Sequence, residues 1–98
     1  MKLIASKTFK SHITSETSMS AYATQLGEHE STMDFYMDEE GTRGFIEWDI
    51  PDLEMGAEIG LWFEEDKKTL CDYDGVFSLP EQAIELLEEN GYNADYAK

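Results

Sequence analysis

Alternation of apolar and polar positions dominates the first three-quarters of the chain. From Lys2 to Lys10, the set Leu3, Ala5, Lys7, Phe9 alternates with Ile4, Ser6, Thr8, Lys10, which predicts a strand. Residues 14–20 (Thr-Ser-Glu-Thr-Ser-Met-Ser) are polar and predict a loop or the approach to the next element. Met19 to Leu26 fits two periods. A strand places Tyr22, Thr24 and Leu26 on one face; a helix groups Met19, Tyr22, Ala23 and Leu26. The strand is favoured for this stretch, residues 14–30 stay open between the two, and Glu28 and Glu30 are placed in a loop. From Ser31 to Asp38 the alternation is clean: Met33, Phe35 and Met37 oppose Thr32, Asp34, Tyr36 and Asp38. Glu39 to Thr42 supplies a turn. Phe45 to Ile50 alternates again, with Ile46, Trp48 and Ile50 opposite Phe45, Glu47 and Asp49, so the two runs form a hairpin.

Pro51-Asp52 ends this strand, because proline cannot donate to a ladder. Ala57 to Glu64 predicts another strand with Ala57, Ile59, Leu61 and Phe63 inward. Asp66-Lys67-Lys68 turns the chain into a strand over Thr69 to Tyr73, and Gly75 marks a break. The period then changes to helical. Ser78 with Glu81 matches a capping box, Pro80 suits a first turn, and Ala83, Ile84 and Leu87 form an apolar stripe. Gly91 after Asn90 stops the helix, leaving Tyr92 to Lys98 as a tail. The expected architecture is α+β: an antiparallel meander of about four to five strands with a C-terminal helix packed on one face. Ile46, Trp48, Ile59, Leu61, Phe63, Ile84 and Leu87 are expected to share its core. The 98 residues suffice for one domain, 1–98.

Charge changes the picture more than length does. Seven Lys and Arg face 22 Asp and Glu, a formal net charge of -15. Residues 1–27 hold Lys2, Lys7 and Lys10 against Glu16, whereas 28–97 hold Arg43, Lys67 and Lys68 against the other 21 acids. Direct binding to nucleic acid or to an anionic membrane is excluded, since both demand clustered cations. Strand parity decides where the acids point. If Met33, Ile46 and Ile59 and their parity mates meet the helix, the opposite face carries Asp34, Tyr36, Asp38, Phe45, Glu47, Asp49, Glu58, Trp62 and Glu64. The next strand adds Asp72 and Asp74. No basic residue of these predicted strands falls on that face. Acids interleaved with aromatics suit a partner surface that normally binds polyanions. The helix repeats the theme, with Glu81, Glu85, Glu88 and Glu89 outward and no Lys or Arg at i+4.

Other chemistry is sparse. The single cysteine, Cys71, forms no internal disulfide and reads as a small buried hydrophobe in a strand. His12 and His29 are isolated and read as surface or loop residues. Asp72-x-Asp74-Gly75 resembles the start of a calcium loop but lacks the third ligand and the glutamate at position twelve, so a turn is expected. No phosphate loop, nucleophile elbow or Cys–His pairing is present, so neither catalysis nor a cofactor is expected. The apolar start is too short for a signal-peptide core and no run is long enough to span a bilayer, which places the chain in the cytoplasm.

In size, in a pI near 4.2 and in its single acidic fold, the chain resembles the small acidic phage proteins that disarm host defence, the DNA-mimic antirestriction and anti-CRISPR proteins. The likeness is one of composition and transfers no functional residue. It implies a stoichiometric inhibitor in the host cytoplasm, whose carboxylates occupy a basic DNA- or RNA-binding site of a defence protein. An immunity or antitoxin protein that caps a basic nuclease, or an acidic interaction module of another kind, has the same electrostatics.

Overall fold

The computed structural model describes residues 1–13, 27–51, 54–76 and 78–98. The alternating runs form β1 (Lys2–Ile13), β2 (Gly27–Met37), β3 (Arg43–Ile50), β4 (Met55–Phe63) and β5 (Leu70–Asp74). A helix, α1 (Glu81–Glu89), follows, and a 3-10 turn spans Asp95–Ala97. The strands lie side by side in chain order as one five-stranded antiparallel meander. The protein is therefore α+β, with the helix on one face of the sheet.

That face is the predicted one. Met33, Phe35, Ile46, Ile50 and Ile59 are wholly buried, and Leu61, Trp48 and Phe63 nearly so, against Leu79, Ala83, Leu86 and Leu87. Ile84 is only partly buried, and Leu86, absent from the predicted stripe, takes a full share of the core. Helix and sheet thus close one apolar layer, the usual solution for elements with one apolar face each.

Several local expectations are corrected. Glu28 and Glu30 lie in β2, opposite His12 and Lys10, and not in a loop. Apolar alternation could not reveal this part of the strand, because Gly27 to Ser31 pair with β1 alone, beyond the Thr32–Met37 stretch that meets β3. His29 is likewise a half-buried strand residue. Met19 to Leu26 lies outside the described residues. Near the start of β1, the register slips between Leu3 and Ala5, so Leu3 pairs with Tyr36 while Ala5 pairs with Phe35. This bulge takes Leu3 off the parity of Ala5, Lys7 and Phe9.

Helix α1 starts at Glu81 behind Pro80, and no side chain caps it, so the predicted Ser78–Glu81 box is not formed. Its stop is as expected: Gly91 has φ +88, a conformation that costs glycine little. The helix acids are less isolated than their own spacing suggests. Lys7 reaches across from β1 to Glu85 (3.0 Å) and Glu89 (2.9 Å), and Lys98 meets Glu88 at 2.7 Å. Both lysines are held above their ordinary pKa, chiefly by hydrogen bonds to these carboxylates. Residues 92–98 are not a free tail. Tyr92 packs edge-on against Phe35 at 5.2 Å, Ala94 is buried, and Asn93 bridges to Thr69 beside the outer edge of β5.

Candidate functional site

The face away from the helix is where the predicted site residues converge. Directly paired residues share a face, with Cβ atoms roughly 5 Å apart. Register therefore converts the candidates into rows. Asp34 pairs with Glu47, and Glu47 with Glu58, which lines up three carboxylates across β2, β3 and β4. Asp49 sits one row further along, opposite Thr32 and Gly56. A Cβ on Gly56 would come within 2.9 Å of the Asp49 carboxylate, so the bare glycine leaves room for that side chain to lie across β4.

On the other side of the carboxylate row runs an apolar one: Leu3, Tyr36, Phe45 and Gly60, ending at Asp74. The Tyr36 and Phe45 rings stack with centroids 4.8 Å apart and planes 19° from parallel. Gly60 adds no side chain, and the Trp62 ring lies over it, 3.2 Å from where a Cβ would be. The next row holds Arg43, Trp62 and Asp72. Arg43 stacks on the Trp62 ring at 5.4 Å.

Nine candidates thus occupy strand positions on one face: Asp34, Tyr36, Phe45, Glu47, Asp49, Glu58, Trp62, Asp72 and Asp74. Asp38 and Glu64 instead fall just beyond β2 and β4, in turns. Asp38 serves its own turn, its Oδ1 accepting the Gly41 N–H at 2.8 Å. Glu64 lends its backbone to the next hairpin, accepting from Lys67 N–H at 2.9 Å. Cys71 is exposed, not buried: it is the extra residue where the β4–β5 register slips, and its thiol donates to the Trp62 carbonyl at 3.4 Å.

The expectation that no basic residue of the predicted strands falls on this face fails at Arg43, and β1 adds Lys10, opposite Glu30 on the parity of Ser6. Extending the alternation back from Glu47 through Phe45 reaches Arg43, but the intervening Gly44 hides the strand's start. Leu3 and Ser6 were also missed as members of this face. Ser6 donates to Asp34 at 2.6 Å, and only the sheet register brings them together.

Among the described residues, no lysine or arginine pairs with Asp34, Glu47, Asp49 or Glu58, and no group of three or more metal-binding side chains converges. The face's field is felt by its tyrosine: desolvation holds the Tyr36 hydroxyl above its ordinary pKa, and Glu47, Asp34 and Asp49 push it the same way. No protein-family model, curated protein or solved structure matches the chain. Among the described residues no helix is long and apolar enough to cross a membrane. What the surface offers chemically is a fixed array of anions beside flat apolar rings.

Proposed function

We propose that this protein is a stoichiometric inhibitor that acts as a nucleic-acid mimic. Its open sheet face occupies the basic DNA- or RNA-binding site of another protein, a host defence protein where the chain is phage-encoded, in the host cytoplasm. The observation that carries this reading is the Asp34–Glu47–Glu58 row, which sets like charges directly opposite one another on a face where no described lysine pairs with them. Such a row costs stability. A partner rich in Lys and Arg would offset that repulsion on binding, and long-range attraction would speed encounter.

The test is capture of partner proteins from a cell lysate on two immobilised forms, the wild type and the face-reversed double variant Glu47→Lys, Asp49→Lys. The expected result is a protein held by the wild type, released by added DNA or RNA at about 0.15 M salt, and not held by the variant. Retention on both forms, or a complex that excess nucleic acid leaves intact, overturns the mimic. A tight complex of the purified chain with DNA itself would overturn it as well.

A further inference from the structure

A lysine ammonium and an arginine guanidinium ask different things of an acidic surface. The ammonium is a compact, strongly hydrated point charge. The guanidinium is planar, weakly hydrated and rewarded by a flat ring beneath it and a carboxylate at its edge. The open face offers those two features in adjacent rows. Tyr36 and Phe45 form a nearly parallel ring pair, and no described cation lies over it. The Asp34–Glu47–Glu58 row runs beside it, and rows two residues apart along a strand are about 6.8 Å apart. That spacing lets one guanidinium lie over a ring while its N–H edge reaches a carboxylate.

The chain already displays half of this arrangement internally. Arg43, the arginine of this face, lies over Trp62 at 5.4 Å. A ring alone does not discriminate, since Lys68 lies over Tyr92 at 5.1 Å elsewhere on the molecule. The selectivity comes from ring and carboxylate together.

We propose, building on the reading of this face as the binding surface, that it selects arginine over lysine side chains in its partner. Guanidinium groups stack on the Tyr36–Phe45 pair and fork onto Glu47 and its row neighbours. Trp62, already covered by Arg43, takes a secondary part.

The test uses the full chain titrated with hexa-arginine and, separately, hexa-lysine at about 0.15 M salt. Backbone amide shifts map the site and fix both dissociation constants. Hexa-arginine should bind about fivefold or more tightly, with shifts centred on β2 to β4 at Tyr36, Phe45 and Glu47. Phe45→Val should bring the ratio of the two constants towards one, with the dispersion of its backbone amide signals in the unbound state showing that the variant is folded. Glu47→Gln should weaken both peptides. Equal affinities at the same face overturn arginine selectivity and leave the acidic face standing as a binding surface. Shifts confined to α1, or no binding of either peptide, overturn that underlying reading together with the selectivity.

Discussion

Single carboxylates in this chain do different jobs, and their partners tell them apart. Asp66 is a turn-former: its Oδ1 accepts the Lys68 and Thr69 N–H groups at 2.9 Å, and its Oδ2 accepts the Thr69 hydroxyl. These bonds favour the ionised form and hold Asp66 below its ordinary pKa, the Thr69 hydroxyl contributing most. A carboxylate depressed by folding stabilises the fold above its unfolded pKa and loses that contribution as pH falls through the folded one. Asp66→Ala should therefore lower the denaturation midpoint at neutral pH. The gap to wild type should close in acid, read by chemical denaturation across a pH series. Glu47 is the opposite case, an acid directly between two acids. Glu47→Lys turns two like-charge pairs into opposite-charge pairs and should stabilise the isolated fold by about 0.2–1 kcal/mol for each. Urea denaturation checks this, and an unchanged or lower midpoint would mean that Asp34 and Glu58 do not feel Glu47.

At the scale of elements, the sheet is specified by its buried parity and the helix by the layer it completes. α1 has no side-chain cap, and its acids Glu88 and Glu89 stand at the end where the backbone dipole prefers cations. Its placement rests on Ala83, Leu86 and Leu87, with Lys7 tying its outer acids to β1. Leu61, on β4 and 1% exposed, belongs to this layer. Leu61→Ala should cost about 2–5 kcal/mol through the cavity it leaves. The measurement is equilibrium denaturation, with an unchanged denaturant slope showing that the variant still folds as one unit.

For the whole molecule, charge is the controlling quantity. A net charge of -15 on 98 residues opposes compaction through self-repulsion. Salt screens it, with a Debye length of about 8 Å at physiological strength. Two opposite salt responses follow. The denaturation midpoint of the free chain should rise with added sodium chloride. The association rate with a basic partner should fall, as measured by surface-plasmon kinetics at several salt concentrations. The double variant Glu47→Lys, Asp49→Lys should flatten the second dependence, whereas reversal at Glu28 and Glu30 should matter less. Those two stand on the β1–β2 ribbon beyond the edge of β3, away from the carboxylate row.

Local pattern determined the class of fold, the parity of β2, β3 and β4, and the side on which the acids lie. These follow from period-two alternation with one buried face, where a slip of one residue would bury the wrong set. Alternation of apolar residues is silent where the inward positions are polar, as at His29 and Ser31, which is why Glu28 and Glu30 escaped it. It is also blind to a bulge, which is why Leu3 falls in one set with Ala5, Lys7 and Phe9, while Cys71 was read as buried from the habit of free cysteines and not from its place in the strand. Arg43 was missed for a third reason: a glycine between it and Phe45 interrupts the propensity signal without interrupting the ladder. Tertiary structure alone decided which residues became neighbours. Strand register set Asp34, Glu47 and Glu58 in one row, Tyr36 beside Phe45 and Arg43 beside Trp62, and packing across the layer brought Lys7 to the helix acids. Register and packing are sums over many distant pairs, so composition and spacing along the chain carry the charge of this face but not its arrangement.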